Sequence, residues 1–192
     1  MRAKRSSYFI FYFLYFIFLA GCAGRLAVQR GYDFESIRNI AVAGFKSSEG
    51  SEAAGDAVRD IFTKCFLESG ISVVDSKALD KMLAHGSPQS PQMFAEIGAM
   101  VGADAILDGS IYRYLPEKEE RIYYASEDGK IGYETAFYNA KVAVTARLVD
   151  VKTGSVVWVN SDYYESFDIQ HTLEGAVYTV LRPLKNLISK NK

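Results

Sequence analysis

An uncharged apolar run from Tyr8 to Leu19, with Arg2, Lys4 and Arg5 before it and Cys22 just after it, decides how much of this 192-residue chain is left to build a domain. A cationic start, an apolar stretch and small residues ahead of a cleavage point are the parts of a secretory signal in their required order. The competing reading is a transmembrane helix. The run is about a dozen residues, short of the roughly 17 to 25 that cross a bilayer, so residues 1–21 read as a signal peptide.

The end of that run, Leu19-Ala20-Gly21-Cys22, resembles the lipobox of bacterial lipoproteins. Small Ala20 and Gly21 give a peptidase access to the backbone, and the Cys22 thiol is the nucleophile that can carry a thioether-linked diacylglycerol. The resemblance implies diacylglycerol and an N-acyl chain such as palmitate on Cys22, and no other cofactor is expected. One acyl chain holds a protein marginally, whereas two or more anchor it stably. Ala23 stands where an Asp would resemble an inner-membrane retention signal. In a host with two membranes the expected address is therefore the outer membrane, with the domain facing the periplasm.

Removing residues 1–21 takes away three of the 22 basic residues and no acidic one, leaving 19 against 23. A mildly acidic remainder without a basic stripe argues against nucleic acid as a partner. About 170 residues suit one domain with one sizeable core. With Cys22 committed to lipid, Cys65 has no intramolecular partner, and its register with Ala54, Val58, Ile61 and Phe62 places it on the apolar stripe of a helix.

Residues 22–36 lack periodicity and read as a lipidated tether, leaving 37–192 as the domain. Fully extended, residues 23–36 reach about 50 Å. Ile37 to Phe45 is a short apolar run suited to a strand buried on both faces. A helix from Ser51 to Glu68 follows, stopped by Gly70, and Ser72 to Val74 makes a second strand. This is a β-α-β start with a parallel pair. Next come a short helix near Lys77 to Leu83, a breaker at Gly86-Ser87-Pro88, and a helix with Ser90 as N-cap and Pro91 at its first position. Ala105 to Tyr114 reads as a strand. Tyr138 to Val151 alternates, with Val142, Val144, Ala146 and Leu148 on one face and Thr145 and Arg147 on the other. Lys152-Thr153-Gly154 turns it into an antiparallel neighbour reaching Phe167. Thr172 to Ile188 has helical spacing, and Pro183 within it predicts a kink or a new start. The expected fold is α/β: one domain with a mixed sheet, a β-α-β start, an antiparallel C-terminal hairpin and helices packed on the sheet.

Catalytic chemistry is sparse. Gly44 to Ser51 lies between strand and helix, as phosphate loops do, but lacks the lysine after its second glycine. His85 and His171 sit in separate segments without a second ligand at helical spacing, so no metal site is expected. Asp104 and Asp108 flank a strand, where solvated acids are common. An enzyme is not expected. The unusual stretch is 112–138, in which Asp128-Gly129 between Ile122-Tyr123-Tyr124 and Ile131-Gly132-Tyr133 is a hairpin signal. Tyr123, Tyr124, Tyr133, Phe137 and Tyr138 either contact a protein partner or pair across strands and cover the sheet.

Two phrases carry a family resemblance: Val101-Gly102-Ala103-Asp104-Ala105-Ile106-Leu107-Asp108-Gly109-Ser110, and the run Ala143 to Trp158 through Asp150-Val151-Lys152-Thr153-Gly154. Together they resemble the CsgG-like group of periplasmic lipoproteins, which includes the curli secretion channel and LpoB-like activators of penicillin-binding proteins. The resemblance implies a scaffold for assembly in the cell envelope. Three functions follow as expectations: a non-enzymatic accessory or binding module for an envelope complex, a subunit of an oligomeric outer-membrane secretion channel, or an activator of a peptidoglycan synthase. The chain departs from the channel pattern, because its hairpin has only about five residues before Glu127 and spanning strands need roughly 9 to 11. No second hairpin separates Phe167 from the last helix. The tether is short for an activator that must reach across the periplasm. The expected partners are a membrane through the lipid and an envelope protein, with a homo-oligomer open.

Overall fold

The computed structural model describes residues 26–47, 52–74 and 91–189. The signal, Cys22, the helix expected near Lys77, the breaker at Gly86, His85 and the Ser90 cap lie outside them.

Among the described residues a six-stranded mixed sheet carries three α-helices, and a separate two-stranded ribbon projects from it. The strands are β1 (Ala27–Val28), β2 (Asn39–Ser47), β3 (Ser72–Val74), β4 (Ala105–Leu115), β5 (Lys118–Ala125), β6 (Ile131–Tyr138), β7 (Ala140–Asp150) and β8 (Val156–Ser166). The helices are α1 (Glu52–Glu68), α2 (Pro91–Val101) and α3 (Ile169–Ile188). The sheet order is β1-β8-β7-β4-β2-β3, with β2 parallel to β3 and β4 and the remaining pairs antiparallel. The expected β-α-β start and C-terminal hairpin are both present.

β2 is apolar on both faces because both are covered. Ile40 and Val42 join the core beneath α1 and α3, with Val58, Phe62, Leu107, Leu148, Trp158, Val177 and Leu181. Ala41 and Ala43 meet Ile106, Val149 and the α2 residues Phe94 and Ile97 on the other side. Cys65 is fully buried in the first core. Phe45 stacks on Phe62 at 4.9 Å, and this ring fixes why residue 109 is glycine: a Cβ there would overlap the Thr145 carbonyl and lie 2.5 Å from Phe45 Cε1.

The last helix is capped by Asp168, whose side chain accepts the His171 N–H at 2.8 Å, and it runs through Pro183 without a new start. Buried Asn160 ties it to the sheet, donating from Nδ2 to the Val180 carbonyl at 2.8 Å.

The stretch 26–36, read from sequence as tether, lies against the domain. Ala27 and Val28 pair with Val159 and Trp158, Phe34 is buried in the main core, and Tyr32 packs edge-on against Phe34 at 4.8 Å. Burial of the Phe34 ring and partial burial of Tyr32 offset the entropy of fixing this segment. The Tyr32 phenol is raised to about 12, by burial first and by the neighbouring Asp150 carboxylate second.

Candidate functional site

The projecting ribbon begins where the long pair β4–β7 ends. Leu115 faces Lys141 in the main sheet, and after Pro116 and Glu117 the pairing resumes with Lys118 opposite Tyr138. β5 and β6 thus extend the same antiparallel arm into solvent. Each strand is eight residues long rather than the five read from sequence, because the charged run Lys118 to Arg121 also pairs with β6. Asp128 holds the turn: its carboxylate accepts from the Ser126 hydroxyl and pairs with Lys130 at 2.7 Å, and Gly129 takes the positive φ that the turn requires. The Lys130 and Ser126 hydrogen bonds also push the Asp128 carboxyl below its usual range.

Directly paired residues of an antiparallel ribbon share a face. One face carries Tyr123 opposite Tyr133, with ring centroids 6.0 Å apart, together with Ile131 and Phe137; the Arg121 guanidinium lies 5.3 Å from the Tyr133 ring. The other carries Ile122, Tyr138 and Tyr124, whose ring covers Gly132. Every position of β5 is exposed. All five aromatics singled out in the sequence are exposed, Phe137 to 76 %. None covers the main sheet. The ribbon therefore presents apolar rings on two opposite faces, where a half-buried hairpin presents one.

The sheet edge beside it is less available. The outward N–H groups of Ser161 and Tyr163 on β8 donate to the carboxamide oxygen of Asn160 at 3.0 Å and the carboxylate of Asp162 at 2.9 Å. Side chains folded back on edge donors blunt a strand against further pairing.

The two acids expected to flank a strand as solvated groups have structural work instead, Asp104 just before β4 and Asp108 inside it. Asp104 Oδ2 accepts the N–H groups of Arg38 and Asn39 at 2.9 and 3.0 Å, fixing the entry to β2. Asp108 is bidentate to Arg147 at 2.7 and 2.8 Å. That pairing raises the Arg147 pKa, and the Arg147 guanidinium also lies 5.7 Å from the Phe94 ring. His171 is exposed in the first turn of α3, edge-on to Tyr164. Among the described residues no three His, Cys, Asp or Glu side chains gather as metal ligands, and no helix is long and apolar enough to cross a membrane.

Sequence reasoning missed a second surface. Among the described residues α2 covers only part of its side of the sheet, leaving Tyr112, Arg113, Lys141, Ala143, Tyr163 and Glu165 around an open groove of about 390 Å³. A register shift between Ile111 and Arg113 brings Tyr112 and Arg113 together to this groove. Strict alternation, the signal used to assign faces, cannot reveal such a bulge.

A family model described as curli production assembly/transport component CsgG matches residues 20–170. Among solved structures, the PelC dodecamer from Paraburkholderia phytofirmans aligns at 19% identity with a TM-score of 0.55, over 85% of this chain and 98% of that one. A dodecamer of a PelC point variant from the same organism gives the same identity and TM-score. The LpoB C-terminal domain from Salmonella enterica aligns at 13% identity and a TM-score of 0.41, over 70% of this chain and 100% of that one. No curated protein sequence matches the chain.

Proposed function

From a chain that belongs to the CsgG family, we propose a non-enzymatic module of the cell envelope, anchored by lipid on Cys22, that engages an assembly partner through the β5–β6 ribbon. The two-faced aromatic ribbon carries this reading. Exposed tyrosines pair a large contact area with few rotatable bonds, which suits them to the centre of a protein interface. A free two-stranded hairpin is marginally stable in water, so rings exposed on both of its faces favour an occupant on each side. The blunted β8 edge turns recognition away from strand addition and toward the ribbon.

The lipid anchor would hold this ribbon close to a membrane. Residue 27 is already paired to the sheet, so only about five residues link Cys22 to the domain, a reach of under about 20 Å. That favours a partner at the same membrane over one across the periplasm, as a peptidoglycan-synthase activator would need.

A second reading, self-assembly, is favoured by the same two faces: identical copies stacking front to back would cover both. The PelC structures are dodecamers by description, and they share this fold. A spanning channel is less favoured. The ribbon strands have eight residues, below the roughly 9 to 11 of a spanning strand, and neither face is uniformly polar as a lumen requires.

Photo-crosslinking in cells from positions Tyr123 and Tyr124, on opposite faces, tests the reading. It predicts a discrete adduct from each, with Tyr178 on α3 as a control. Adducts from Tyr178 and none from the ribbon would reject it.

A further inference from the structure

The face of the sheet that α2 shares is built in rows running across β4, β7 and β8. Nearest α2 is the Asp108–Arg147 pair, then Ser110, Thr145 and Ser161, with the Thr145 and Ser161 hydroxyls 2.8 Å apart. Arg113, Ala143 and Tyr163 form the next row, and Leu115, Lys141 and Glu165 the last. Ala143, buried between its neighbours, closes the floor, and Tyr112 and Tyr163 on the flanking strands are 49 % and 66 % exposed. Lys141 is paired to Glu165 at 3.2 Å, which also accepts from Asn139. Arg113 has no ion pair among the described residues, and neither has Lys46, which lies level with Ser110 on the neighbouring strand.

We propose that this groove binds a glycan strand bearing anionic groups. Pyranose rings present flat C–H faces that stack on tyrosine and equatorial hydroxyls that pair with serine, threonine and arginine, and both kinds of partner line this surface. The spacing agrees: strands about 4.8 Å apart place β4 and β8 about 10 Å from one another across β7, close to the repeat of a β-1,4-linked disaccharide at about 10 Å. Tyr112 and Tyr163 are the exposed rings on those two strands, placed to stack on alternate sugars of a chain lying over the groove. Arg113, without an ion pair among the described residues, selects a carboxylate or another anionic substituent. The groove volume lies in the range of small-ligand sites. A protein partner fits less well, because the centres of protein interfaces are depleted in lysine and glutamate, and Lys141 and Glu165 line this groove. The bulge that brings Tyr112 and Arg113 to one side is the kind of irregularity that re-aims side chains at a binding surface.

Isothermal titration of the full chain in detergent with β-1,4-linked hexamannuronate, cellohexaose and hexaglutamate tests the proposal. Hexamannuronate should bind about tenfold tighter than cellohexaose, Tyr163→Ala should weaken it about tenfold, and Arg113→Gln should erase the preference for the acidic strand. Tyr163 is exposed, so an unchanged melting temperature will show that its variant is folded. Tyr123→Ala should leave binding unchanged, which separates this groove from the ribbon and its partner. Absence of binding to both oligosaccharides, binding that survives Tyr163→Ala, or equal binding of hexaglutamate would overturn the assignment.

Discussion

Replacing Phe34 with alanine separates a tether from a docked segment. Phe34 is 6 % exposed, belongs to the main core and stands edge-on to Tyr32. It follows Asp33, whose side chain accepts the Glu35 N–H at 3.0 Å and so sets the turn that aims the ring inward. Truncating a buried phenylalanine costs about 3 to 5 kcal/mol, a figure that includes the edge-on contact. The lower end applies here, because the segment is held by one two-residue strand and can detach before the sheet unfolds. The expected loss is about 3 kcal/mol. In urea unfolding of the soluble chain lacking residues 1–22, a denaturant slope near about 2 kcal/mol per molar turns that loss into a midpoint shift of about 1.5 M at unchanged slope. A shift under about 0.3 M at the same slope would show residues 26–36 acting as a free tether and would refute the docking.

Two further outcomes follow from packing and charge. Tyr32 is raised to about 12 in the fold, so its stabilising share is complete below pH 10 and is lost as pH rises toward 12; Tyr32→Phe should flatten the fall in melting temperature across that window. Gly109→Ala should lower stability by about 1 to 3 kcal/mol by urea titration, since the added methyl meets the Thr145 carbonyl and the Phe45 ring together.

The elements most legible in the sequence were those whose side chains alternate or recur against one core. β7 reads cleanly because its even-numbered residues, Val142 to Leu148, are buried in one core on the side covered by α3. α3 reads cleanly because Leu173, Ala176, Val177, Val180, Leu181 and Leu184 form one buried stripe. Strand β1 was not legible: two residues have no period, and their partner lies more than a hundred positions away. The lower half of β5 was missed because all its positions face water, and nothing but its ladder with β6 distinguishes it from a charged loop. Of the candidate sites, the ribbon aromatics were visible because Asp128-Gly129 marked their turn. The groove was not, since the bulge after Ile111 defeats the alternation that would have assigned Tyr112 and Arg113 to a face.

The central claim is that the β5–β6 ribbon holds an assembly together. Native mass spectrometry of the full chain extracted in mild detergent, compared with a Tyr123→Ser/Tyr124→Ser variant of unchanged melting temperature, reads it most directly. The account predicts a wild-type particle heavier than one chain, through copies or a partner, and a variant reduced to the monomer mass. A monomeric wild type, or a variant with an undiminished particle, would contradict it.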